Sequence, residues 1–210
     1  VADVSAVLSE LPAQHYPLPR DDLLIRHLPQ LLPRMQALLP NAPRVALSKV
    51  QWRSPVANPG KIIAAPVNYS LHLQEVLNDP HLHNDNQINH IQRAGLFLKA
   101  NSSLADACDG IALNQPDRRT DHEIELVIVI GRSGKNIAVA DAMAHVAGYC
   151  VGLDITIRGP EERSLRKSPD SYTLIGPWLT TADEVPHPGE LAMRLHVDAE
   201  LRQQASTSDL

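Results

Sequence analysis

From residue 45 onward the apolar positions of this chain recur mostly at every second residue, the period of a β-strand with one buried face. The densest run is Ile124-Glu125-Leu126-Val127-Ile128-Val129-Ile130, entered through Asp121-His122-Glu123. Alternation puts Glu123, Glu125, Val127 and Val129 on one face, and Ile124, Leu126, Ile128 and Ile130 on the other. Residues 146–158 repeat the pattern. Gly152, Asp154, Thr156 and Arg158 fall on one face, and Val151, Leu153, Ile155 and Ile157 on the other. Residues 191–199 alternate through Leu191, Met193, Leu195 and Val197, as a half-buried antiparallel strand does. Further strands are predicted over 45–52, 61–69, 96–99 and 176–180.

Helical spacing appears over 21–39, where Leu24, Leu28, Leu31, Leu32, Met35 and Leu38 recur at three and four. Pro29 and Pro33 predict two short pieces or a kink there. Ser70 predicts a cap for a helix over 71–77, and residues 138–145 read as another helix. Residues 78–92, 105–120 and 159–171 read as loops, the last because its charged residues leave no apolar stripe. The organisation predicted is a helical and irregular N-terminal segment, 1–58, followed by a catalytic domain, 59–210. The fold class is α+β and β-rich. Strands and helices do not alternate and no Gly-rich phosphate loop is present, which argues against a doubly wound nucleotide-binding sheet.

Composition changes this picture little. With 43% hydrophobic and 20% charged residues, the 210-residue chain has the make-up of a globular domain. One Phe, four Tyr and two Trp leave the core to Leu, Ile, Val and Ala. A net charge of −5 with no basic stripe argues against nucleic acid as a partner. No apolar run reaches the length of a membrane span, and no secretory signal is visible. Cys108 and Cys150 have no metal-type spacing and read as thiols of a cytoplasmic protein.

Three constellations could carry chemistry. Glu123, Glu125 and Asp154 combine two like charges on one strand face with a carboxylate inside an apolar strand. Such a trio suits a hard divalent cation (Mg²⁺ first, Mn²⁺ or Ca²⁺ as alternatives) rather than zinc. The competing reading is a strand end whose acids pair with Arg or Lys. His72 and Glu75 would be neighbours on one helical face, where a carboxylate orients an imidazole acting as a general base. An exposed His–Glu pair is the alternative, and it covers His81, His83 and His90 too. Arg166-Lys167-Ser168, with Arg158 and Arg163 before it, could bind a substrate carboxylate or stabilise an oxyanion, or be a solvated loop.

Taken in order, several stretches resemble the fumarylacetoacetate hydrolase family. They are Lys61-Ile-Ile-Ala-Ala-Pro-Val-Asn-Tyr69 with His72-x-x-Glu75, then Phe97-Leu-Lys99 with Ser102-Ser103, then Asp121-His-Glu123-Ile-Glu125. Ala147-Gly-Tyr149 through Asp154 to Arg158, and Lys167-Ser168 through Gly176-Pro-Trp178, complete the series. The resemblance implies strands rolled into a mixed sandwich or distorted barrel with a few short helices. It implies a metal held by Glu123, Glu125 and Asp154, and catalysis by His72, Glu75 and Lys167. Lys99 and Arg158 would bind or position substrate. The implied activity is metal-dependent C–C hydrolysis of a small diketo or 2-oxo acid through a metal-bound enolate, in a cytoplasmic homodimer. Isomerisation or decarboxylation of a 2-oxo-dienoate in aromatic catabolism is the alternative. Family members continue into a Thr-Gly-Thr loop that helps close the pocket. Residues up to Leu210 do not include it, so a truncated, non-catalytic member is a further alternative.

Overall fold

The computed structural model describes residues 1–69, 91 and 95–210. Its strands, in chain order, are β1 (Ile62–Ala64), β2 (Phe97–Lys99), β3 (Leu104–Ala105), β4 (Thr120–Asp121) and β5 (Ile124–Ile130). They continue with β6 (Val146–Asp154), β7 (Thr156–Ile157), β8 (Thr173–Thr181), β9 (Ala192–Val197) and β10 (Glu200–Ser206). Two α-helices are described, α1 (Leu23–Leu38) and α2 (Arg163–Lys167).

The central sheet has the order β3-β8-β6-β5, with β6 antiparallel to both neighbours and β3 parallel to β8. Its register sets Glu125 opposite Gly152 and Ile124 opposite Leu153. Smaller antiparallel pairs, β1 with β2 and β4 with β7, place Lys99 opposite Ile62 and Asp121 opposite Thr156.

Burial follows the alternation in β9 but only in part in β5, where Ile128 and Ile130 are exposed. Val129, Cys150 and Ile175 pack against Ile25 of α1 and against Val56, so residues before 59 share this core. The β9–β10 hairpin covers part of the other sheet face, where Met193 and Leu195 meet Ile124 and Tyr69. A third cluster of Ile155, Ile157, Tyr172 and Leu174 lies where β7 leaves β6. Gln203 of β10 also accepts a hydrogen bond from the Ile124 amide at 2.7 Å, tying the hairpin to the start of β5.

Four local expectations are corrected. Residues 21–39 form one α-helix, Leu23–Leu38, with both prolines inside it. Pro29 and Pro33 lie one turn apart on the exposed side, while Ile25, Leu28 and Leu31 are buried. Burying such side chains gains roughly 1.5–3 kcal/mol each, enough to hold a helix that proline disfavours. Residues 45–52 are not a strand. Leu47–Lys49 makes a 3₁₀ turn, and among the described residues the pairing nearby is an isolated bridge between Ala2 and Arg44. The helix expected over 138–145 is present as 3₁₀, Val139–His145, whereas the strand expected over 61–69 is confined to Ile62–Ala64. Residues 159–171 contain α2, whose buried residues are Arg166 and Lys167 rather than apolar ones.

Two strands were missing from the expectation altogether, the two-residue β3 and the longer β10. The turn into β10 uses Asp198 and Ala199, both at positive φ (50° and 67°), in place of the Asn-Gly type that marks a hairpin in sequence. The strand beyond it, Glu-Leu-Arg-Gln-Gln-Ala-Ser, is largely polar.

Asp22 joins the helix to the sheet-side segment. One carboxylate oxygen caps α1 by accepting from the Ile25 amide at 3.1 Å. The other accepts from the Ala57 and Asn58 amides at 2.7 and 3.2 Å. Asp22→Ala is expected to cost about 2 kcal/mol, from a lost cap and two lost charge-assisted bonds. Calorimetry should show the melting temperature lowered by roughly 4–8 °C for a chain of this size.

Candidate active site

The carboxylates meet at the junction of β5 and β6. The Asp154 amide donates to the Glu123 carbonyl at 2.9 Å, so the two residues stand opposite each other. Glu125 follows two positions on, opposite Gly152. A Cβ at Gly152 would come within 2.5 Å of the Val127 methyl, so glycine there lets β6 lie against that side chain of β5.

Three cations are built into this cluster. Lys167 from α2 donates to Glu123 at 2.6 Å, Asp154 at 2.8 Å and the Thr156 hydroxyl at 2.7 Å. Lys99 from β2 donates to the other Asp154 oxygen at 2.5 Å and to the Tyr172 carbonyl at 2.7 Å. Arg158 bridges Asp121 at 2.7 Å and the remaining Glu123 oxygen at 2.8 Å. The ion-paired reading of the strand end is therefore realised for Glu123. All of these side chains are largely withdrawn from solvent, Lys99 to 2% and Lys167 to 9% exposure.

The two lysines respond oppositely to one acid. Burial works against both charges. At Lys167 the carboxylates of Glu123 and Asp154 outweigh burial and hold its pKa above the ordinary lysine value. At Lys99 burial wins despite Asp154, with repulsion from Lys167 adding to it, and the pKa falls. Asp121 is disfavoured by burial, but Arg119 and Arg158 pull its pKa below the ordinary value.

Glu125 has no such partner. Among the described residues no hydrogen bond or ion pair reaches its carboxylate. Burial, then the charges of Glu123 and Asp154, push its pKa up to about 8. Tyr69 feels the same surroundings, with burial and then the Glu125 charge raising its phenol to about 12.

Among the described residues no three acidic, His or Cys side chains converge on a common point. The donor set nevertheless fits a hard cation. Glu123 and Asp154 each meet cations through both of their oxygens, and a carboxylate oxygen offers two lone pairs. Glu125 is a half-buried acid that no hydrogen bond or ion pair reaches among the described residues. Glu123, Glu125 and Asp154 would hold a divalent ion through oxygen alone, the chemistry of Mg²⁺ or Mn²⁺.

His72 and Glu75 lie outside the described residues, as do His81, His83 and His90. Lys167, Lys99 and Arg158 are brought to the acids, but Lys99 and Arg158 engage protein carboxylates. Sequence reasoning overlooked Asp121 as the partner of Arg158 and Thr156 as a partner of Lys167. Both follow from alternation, since Asp121 shares a face with Glu123 and Thr156 with Asp154. The Tyr172 carbonyl that receives Lys99 carries no sequence signal.

A β-rich roll with a carboxylate cluster gripped by lysines defines the class, and comparison with known proteins agrees. The chain belongs to the fumarylacetoacetate hydrolase family, whose model for the fumarylacetoacetate (FAA) hydrolase C-terminal region matches residues 61–210. A maleylpyruvate hydrolase from Aquipseudomonas alcaligenes is 58% identical over 212 aligned residues, covering all of this chain and 74% of that protein. A mitochondrial oxaloacetate tautomerase from Rattus norvegicus is 31% identical over 180 residues, 83% of this chain and 54% of that protein. The fold matches the crystal structure of maleylpyruvate hydrolase from Sphingobium sp. SYK-6, in complex with manganese(II) ion and pyruvate. The TM-score is 0.79 at 38% identity, over 100% of this chain and 71% of that one. The chain thus spans about three quarters of the two maleylpyruvate hydrolases and about half of the tautomerase. Among the described residues no helix is long and apolar enough to cross a membrane.

Proposed function

We propose that this chain carries the catalytic site of a metal-dependent C–C hydrolase that cleaves maleylpyruvate, an acylpyruvate, to maleate and pyruvate. The observation that carries the reading is Lys167, set 2.6 and 2.8 Å from Glu123 and Asp154 in a site buried from water. The 58% identity to a maleylpyruvate hydrolase supports the choice of substrate.

A divalent cation held by Glu123, Glu125 and Asp154 would polarise the 2-oxo acid end of the substrate. Manganese in the homologous crystal structure supports a divalent ion, with Mg²⁺ the alternative. Water adds to the maleyl carbonyl carbon, the neighbouring C–C bond breaks, and its electron pair passes to the pyruvate methylene. Proton uptake on that carbon gives pyruvate. Lys167 supplies a buried ammonium for the developing oxyanion or for that proton. Lys99 fixes one oxygen of Asp154, and Arg158 fixes one of Glu123. His72 and Glu75 are proposed to activate the water.

The same proposal includes a cytoplasmic homodimer. Ile128, Ile130 and Val151 share one face of β5 and β6 and are 53–59% exposed, an apolar surface suited to a second copy. A second reading, tautomerisation of a 2-oxo acid, is favoured by the 31% identity to oxaloacetate tautomerase. Turnover of maleylpyruvate by the manganese-loaded protein separates them. Stoichiometric pyruvate and maleate are expected. Enol–keto interconversion of oxaloacetate without pyruvate release from maleylpyruvate would establish the second reading.

A further inference from the structure

Arg166 engages two backbone carbonyls and, among the described residues, no carboxylate. It is 8% exposed, on the short helix that also presents Lys167. Its Nε donates to the Glu161 carbonyl at 2.7 Å and its Nη1 to the Ile157 carbonyl at 3.1 Å. A guanidinium has five N–H donors. Three are therefore without a partner among the described residues, and they include both on Nη2.

Burial, then repulsion by Arg158 and Arg163, disfavours the cation, while Glu123 and Glu161 attract it from beyond ion-pairing distance. Glu161 cannot serve, because both its carboxylate oxygens engage Arg118 at 2.8 Å. Glu123 is held by Lys167 and Arg158. A buried guanidinium with two carbonyl partners and no acid is costly unless an anion arrives. Its free edge has the planar fork that receives a carboxylate through two parallel bonds.

The position fits one end of a substrate. Ile157, whose carbonyl anchors Arg166, immediately precedes Arg158, which grips Glu123. Lys167, the next residue, lies on Glu123 and Asp154. We propose that Arg166 binds the distal carboxylate of a dianionic acylpyruvate, selecting dicarboxylates over acylpyruvates that end in an alkyl group. This rests on the hydrolase reading above. It adds the residue that reads the far end of the molecule.

The test compares kcat/KM for maleylpyruvate and for acetylpyruvate, which lacks the distal carboxylate, in wild type, Arg166→Gln and Arg166→Lys. The preference for maleylpyruvate should fall about 100-fold in Arg166→Gln, chiefly through KM, as expected for a lost bidentate charge contact. Arg166→Lys should recover part of it. An equal loss on both substrates would make Arg166 a structural tie and overturn the proposal. Should Arg166→Gln fail to fold, wild type alone decides: maleate should bind at least ~10-fold tighter than its monoamide in calorimetry. Equal affinity overturns the proposal. If wild type hydrolyses neither substrate, the hydrolase reading fails by itself, and the maleate titration still judges Arg166.

Discussion

Lys167→Met is expected to lower kcat by about 10³-fold, in line with removal of a buried group that stabilises an oxyanion. It should also lower the folding stability by roughly 3–5 kcal/mol, because Glu123 and Asp154 both lose the cation they share. The methionine is close in size, so the loss reports charge and not a cavity. Three hydrogen bonds disappear together, to Glu123, Asp154 and Thr156. Lys167→Arg should fold better than the methionine variant yet remain poorly active, since a forked guanidinium cannot reproduce three bonds from one nitrogen. Stopped-flow turnover and thermal unfolding of the three proteins check this. Wild-type kcat in Lys167→Met would remove the residue from the chemistry.

Glu125→Gln is expected to abolish stoichiometric Mn²⁺ binding in calorimetry and to change how stability depends on pH. Burial and the neighbouring acids hold the Glu125 pKa at about 8, against 4.5 ordinarily. At low pH the folded and unfolded chains are both protonated at this residue. As pH rises past 4.5 the unfolded chain releases the proton while the folded chain keeps it, so stability falls until about pH 8. The loss amounts to about 3–5 kcal/mol by the usual conversion of pKa differences. Chelator-treated wild type should therefore unfold more easily at pH 8 than at pH 5, and Glu125→Gln should lack that slope. Adding Mn²⁺ should restore wild-type stability at pH 8 by mass action. Parallel pH curves for the two proteins would show that Glu125 is not the buried acid.

The strands that carry the acids were readable because their alternation is strict. Glu123, Glu125 and Asp154 fell on the faces that the register later brought together. Lys167 stood out in sequence as a cation, but its helix and its place on the acids did not. Its helix buries two cations, of which Lys167 lies on the acidic cluster, and such an element carries no apolar stripe to mark it. The roles of Lys99 and Arg158 could not be read from residue type. A buried cation facing substrate and one facing a protein carboxylate look alike in sequence, and only the strand register tells them apart. The helix at 23–38 shows the reverse error. Proline carried a real local penalty, yet the packing of Ile25, Leu28 and Leu31 outweighed it.

Asp22 has a dynamic consequence. One carboxylate caps the helix and also holds the amides of Ala57 and Asn58. Fraying of the first helical turn and release of the segment around Val56 are then a single opening event. In native-state hydrogen exchange the amides of Ile25, Ala57 and Asn58 are expected to fall in one protection class, although more than thirty positions separate Ile25 from the other two along the chain.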